Sequence, residues 1–120
     1  MQPADFPLEI YRGDSGHWQF KLWADTARTT PVDLTGVVAK SEIRDKPMGG
    51  LITPLDCAIT LPNIIDVRLT SQESYKLTAK GGSWDLQLTY PSNEVVTPLA
   101  GAVAVTPDVT DSAPAPTLLP

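Results

Sequence analysis

Trp84-Asp85-Leu86-Gln87-Leu88-Thr89-Tyr90 alternates apolar and polar residues without a break. Trp84, Leu86, Leu88 and Tyr90 fall on one side of an extended chain; Asp85, Gln87 and Thr89 fall on the other. Side chains of a strand point alternately to its two faces, so this pattern predicts a strand with one face buried and one wet. The same period of two runs through Leu55, Cys57, Ile59 and Leu61, through Ile65, Val67 and Leu69, and through Trp18, Phe20 and Leu22. Several such runs separated by turn residues predict an all-β sandwich or barrel.

Downstream, Pro91-Ser92-Asn93 reads as a turn into a strand over 95–100, which makes the last hairpin. Pro98 cannot donate a ladder hydrogen bond, so that strand is an edge or is bulged. Gly101 permits a kink before residues 102–106 close the domain. Upstream, Thr70-Ser71-Gln72-Glu73 has the spacing of a capping box, and it predicts a helix of about two turns that carries the chain from one sheet to the other. Pro62-Asn63 reads as a tight turn between a strand over 51–61, interrupted near Pro54, and one over 64–69. Val37, Ala39, Ser41 and Ile43 share a face of a strand that runs to Arg44, followed by an exposed hairpin loop over 45–50. Strands are also expected over 6–12 and 17–23, joined by the turn Gly13-Asp14-Ser15-Gly16.

The division is an N-terminal arm at 1–5, a β-sandwich domain at 6–110 and a proline-rich tail at 111–120. The tail holds Pro114, Pro116 and Pro120 with no alternation, so extended or polyproline geometry is expected there. One domain of 120 residues with 42% hydrophobic content allows a single core between two thin layers. The net charge of −5 and pI near 4.6 argue against nucleic acid, which needs a basic stripe. No apolar run has the length of a membrane span, and residues 1–5 lack the features of a signal peptide.

Catalytic, cofactor and metal sites are expected to be absent. Cys57 is the single cysteine and His17 the single histidine, too few for a tetrahedral zinc site. Cys57 lies on the apolar face between Leu55 and Ile59, where a free thiol packs as a small hydrophobe. No Gly-x-Ser-x-Gly elbow, phosphate loop or calcium loop occurs. Arg12-Gly13-Asp14 spells an adhesion tripeptide, but turn chemistry alone accounts for Gly-Asp after a strand. Trp18 and Trp84 fit the inward phase of their strands. Trp23 has the opposite phase, and an exposed aromatic on a strand is an interface candidate.

Gly13-Asp14, then Pro31-Val32-Asp33-Leu34-Thr35-Gly36, then Ile43-Arg44 resembles the opening of a family of small bacteriophage and prophage virion proteins. Trp84-Asp85-Leu86-Gln87-Leu88, Val96-Thr97-Pro98-Leu99, Gly101, Val103, Val105 and Asp108-Val109-Thr110 extend the likeness over most of the chain. The resemblance implies an immunoglobulin-like β-sandwich in a virion structural protein made in the host bacterial cytoplasm. Its partners would be capsid or tail subunits, met in many copies. Many relatives carry further domains after the Asp-Val-Thr end, whereas here a proline-rich tail follows. That favours a complete small protein seated on a shell, a head decoration or cement protein. A tail, baseplate or fibre-attachment adaptor is the alternative. A carbohydrate-binding module using Trp23 and Tyr11 as stacking platforms is a third reading. Attachment is expected through the tail, with its apolar tip Leu118-Leu119, together with the arm at 1–5; Trp23 on a sheet edge is the next candidate.

Overall fold

The computed structural model describes residues 3–107 and Val109. The chain is all-β apart from one short helix. Its strands are β1 (Ala4–Asp5), β2 (Leu8–Tyr11), β3 (Gly16–Lys21), β4 (Val38–Arg44), β5 (Leu51–Thr60), β6 (Ile64–Leu69), β7 (Gly82–Thr89) and β8 (Val95–Thr106), with α1 (Ser71–Tyr75) between β6 and β7. They form one curled sheet in the order β1-β8-β7-β4-β5-β6-β3, with β2 also on β8. The expected all-β class holds; the sheet curls so that two layers share one strand. Residues up to Leu55 of β5 pair with β4, and residues from Asp56 onward pair with β6. Pro54 stands just before that exchange of partners. The expected interruption there is a change of neighbour within an unbroken strand.

The inward phases agree with the alternation. Trp84, Leu86 and Leu88 of β7 are buried together with Ile65, Val67 and Leu69 of β6, Ile43 of β4 and Leu55 of β5. Trp18, Phe20, Cys57 and Ile59 pack against this core from the smaller layer. The Phe20 ring stacks on Trp84 at 6.0 Å and meets Phe6 edge-on at 5.0 Å, so an aromatic trio joins the layers. Pro98 lies where the β7–β8 register shifts between Leu86 and Leu88, which is the expected bulge.

The first strand differs from expectation. Ala4–Asp5 and Leu8–Tyr11 both run parallel to β8 with an unchanged register offset, and the ladder breaks at Phe6-Pro7. Pro7 has no N–H to give, so pairing lapses there and resumes. Part of the expected arm thus belongs to the sheet. The second strand stops at Lys21, because the backbone of Leu22 turns to Asn63 and Val32 (Leu22 N donates to Asn63 O at 2.9 Å, and Val32 N to Leu22 O at 3.0 Å). The helix is shorter than the two turns expected, but its capping box forms: Glu73 N donates to Thr70 Oγ1 at 3.1 Å and Thr70 N to Glu73 Oε1 at 3.0 Å. As expected, α1 carries the chain from β6 in the smaller layer to β7 in the larger. The other crossing at this end, the turn after β2, is bolted to it. Gly13 N donates to the buried Ser74 Oγ at 2.9 Å, and Ser71 Oγ donates to Gly13 O at 2.5 Å. At the β3–β4 crossing, Asp33 Oδ1 accepts from Thr35 N at 3.0 Å and Thr35 Oγ1 at 2.7 Å. Gly36 continues that turn at φ +74, a left-handed value that suits glycine.

Candidate functional site

Trp23 is 37% exposed and stands on a built loop. Leu22 O accepts from Asn63 Nδ2 at 2.9 Å, so a buried amide anchors the chain where it leaves β3. Trp23 then bridges to Pro31, and Ala24 N donates to Thr30 O at 2.8 Å across the loop. Inside it, Asp25 accepts from Thr29 N at 3.0 Å, Thr30 N at 2.9 Å and the Thr29 hydroxyl. Those bonds, the Thr29 hydroxyl foremost, hold the Asp25 carboxyl below its ordinary pKa. A loop so tied presents its aromatic with little ordering cost on contact.

Opposite Trp23 the two layers part at an open end. Leu88, Tyr90, Val96, Pro98 and Leu99 from the larger layer face Leu22, Trp23 and Val32 across a groove of about 610 Å³. That is the size range of sites that take small ligands or short peptide segments. Lys21, Asp25 and Arg28 stand at its rim. Tyr90 keeps the inward phase that the pattern gave it and packs against the core, half-buried. Lying one position past the end of β7, it also lines the groove, a role its phase alone did not announce. Pro98 reads only as a strand breaker, and its bulge turns it to the same opening.

A second concavity, about 670 Å³, lies on the outer face of the larger layer among Lys40, Glu42 and Arg44 of β4 and Ser83, Asp85 and Gln87 of β7. Glu42 is in register with Asp85 and bonds Arg44 Nη2 at 2.9 Å, with Lys40 Nζ at 3.9 Å. Desolvation first, and the Glu42 charge second, push the exposed Asp85 carboxyl above its ordinary pKa, with Arg44 opposing. Exposed pairs of this kind are worth little in stability and are largely solvated.

The other sequence candidates resolve individually. Burial, then the Asp56 charge, raises the Cys57 thiol to about 11, so it stays protonated and packs as a hydrophobe. His17 Nε2 lies 2.6 Å from Asp66 Oδ1 in an exposed cross-strand pair. Among the described residues no group of three or more His, Cys, Asp or Glu could hold a metal ion. Of Arg12-Gly13-Asp14, the first two residues are engaged inward and Asp14 is exposed. The Arg12 guanidinium lies 3.8 Å from the centre of the Tyr75 ring, its Nε donates to Leu77 O at 3.0 Å, and Gly13 is buried at φ 91. Tyr11 is level with Thr106 while Trp23 shares its groove with Leu99. Some seven positions of β8, about 23 Å, separate the two, so they do not make one sugar platform. Leu118 and Leu119 lie outside the described residues.

No helix among the described residues is long and apolar enough to cross a membrane. No family model matches the chain, and no curated protein matches it.

Proposed function

We propose that this chain is a non-catalytic structural component of a bacteriophage virion, a head decoration or cement protein that stabilises the shell by contacts between subunits. The immunoglobulin-like relation belongs to the same proposal. The observation that carries it is the Trp23 groove: a pre-tied aromatic loop facing Tyr90 and Pro98 at one open end of a rigid β body. Aromatic residues in a formed pocket are the usual anchors of protein contacts. The motifs that carry the resemblance also sit at joints of the fold. Gly13 links the turn after β2 to α1, Asp33 and Gly36 close a crossing, and Trp84 holds the aromatic trio. A body with such joints suits a part that bears load in many copies, where repeated modest contacts add through effective concentration.

The test is immunogold labelling of purified phage particles with antibody to this protein, together with co-sedimentation of the purified protein with separated heads and tails. Label over heads supports decoration. Label at the tail or baseplate transfers the protein to the adaptor reading. Label on neither, with no co-sedimentation, overturns the virion assignment. Hydrolase, transferase and metal-dependent assays of the same preparation are expected to be silent. A turnover lost on changing His17 or Asp33 would refute the non-catalytic reading.

A further inference from the structure

The groove and the tail have matching chemistry. Trp23, Tyr90 and Pro98 line an apolar slot, and aromatic-lined slots are what polyproline segments bind, because proline has already surrendered the entropy that binding would cost. The chain carries such a segment beyond its described body: Ala113-Pro114-Ala115-Pro116-Thr117-Leu118-Leu119-Pro120. Charge agrees as well. Asp111 precedes the prolines, and no Lys or Arg follows Lys80. At the groove rim Asp25 is occupied by Thr29 and Thr30, which leaves Lys21 and Arg28 as the charges facing an incoming acid.

Geometry selects which chain supplies the segment. Val109 N donates to the Tyr11 hydroxyl at 3.0 Å, so the body ends at the Tyr11 end, level with Thr106. The groove is level with Leu99 at the other end. From Val109 to Pro114 a fully extended chain spans at most about 18 Å. The sheet alone separates the two ends by about 23 Å. A molecule's own Pro114 cannot reach its own groove. Its Pro116 would reach only with all seven residues from Val109 fully extended over about 25 Å, leaving no slack to seat the segment. The tail of a second copy meets no such limit.

We propose that the Trp23 groove binds the segment around Pro114 and Pro116 of a second copy of this chain, an interface that joins the tail of one molecule to the open end of the next. Such a contact is heterologous, so it builds rings or rows rather than closed two-fold pairs. The proposal deepens the structural reading above by naming the partner, but its test needs no particles and can fail while that reading stands.

The experiment is sedimentation velocity of the full chain over a concentration series. Wild type is expected to associate beyond the dimer. Trp23→Ala, and separately Pro114→Ala with Pro116→Ala, are expected to weaken association about tenfold or more, equivalent to ~1.4 kcal/mol. The tail substitutions lie outside the described body, and circular dichroism checks that both variants keep their strands. Mixing the two variants is the decisive arm. One keeps its tail and the other its groove, so the mixture is expected to form heterodimers that grow no further. A wild type that stays monomeric throughout, a tail variant that associates like wild type, or a mixture that stays monomeric would each overturn the proposal.

Discussion

Trp84 joins the two layers by several contacts made from one residue. Its ring lies 6.0 Å from Phe20 and 6.4 Å from Phe6, and its Nε1 donates to Phe6 O at 2.7 Å. Trp84→Ala is expected to cost about 3–5 kcal/mol, the range for deleting a buried aromatic. Trp84→Phe keeps much of the ring packing and loses the N–H, so about 1 kcal/mol is expected. Urea unfolding of both variants checks the pair. Equal losses would mean that the hydrogen bond, and not the packing, carries the joint. The inward phase of Trp84 was legible from its neighbours alone. Its bond to Phe6 was not, because no local pattern relates residues so distant in the chain.

The edge formed by β1 and β2 depends on a close approach at the level of elements. Phe6 N donates to Ala100 O at 2.9 Å, and a Cβ on Gly101 would meet the Phe6 carbonyl at closer than any real contact. Gly101→Val is therefore expected to lift β1 and β2 from β8 while the remaining strands stay folded. Hydrogen exchange checks this: amides of residues 4–11 should lose protection and those of β6 and β7 should keep it. At the opposite joint, Ser74→Ala strips the buried Gly13 N–H of its acceptor, an expected loss of about 1–3 kcal/mol. Thr70→Ala removes only the helix cap and is expected to cost about 1 kcal/mol. A Ser74 variant no less stable than the Thr70 variant would mean that the two crossings are not bolted together. The capping box could be read from Thr70 and Glu73. That the same helix would hold the turn after β2 could not.

Across the whole molecule, acid acts through carboxylates whose pKa shifts run in opposite directions. The Thr29 hydroxyl at Asp25, the Thr35 hydroxyl at Asp33 and His17 at Asp66 hold those groups below the ordinary value of 3.8. The stability they add is present above 3.8 and is lost as pH falls through their lowered pKa values. Asp85 runs the other way. Its pKa is raised above 3.8 by desolvation and by Glu42, so ionising it costs the folded state as pH rises through the raised value. Asp85→Asn is expected to raise the unfolding midpoint at neutral pH and to match wild type at pH well below 3.8. Denaturant titrations of both proteins across that range test it. Parallel curves at every pH would show that the outer face does not crowd Asp85.

What the sequence determined by itself is local. The alternation set which side chains of β4 to β7 face inward, since a strand's period of two is a property of adjacent residues. Asp33 with Gly36, Thr70 with Glu73, and Pro98 each announced a turn, a cap or a bulge, because their constraints act within a few residues. Only the tertiary structure decided which strands are neighbours. The parallel docking of β1 and β2 on β8 and the sharing of β5 between the layers are non-local pairings, chosen by register and by edges left open elsewhere in the chain. The groove belongs to that second class. Trp23 was visible as an outward aromatic, yet Tyr90 and Pro98 face it only because the layers part where β3 and β7 end, and burial at such a place is a property of the assembled body.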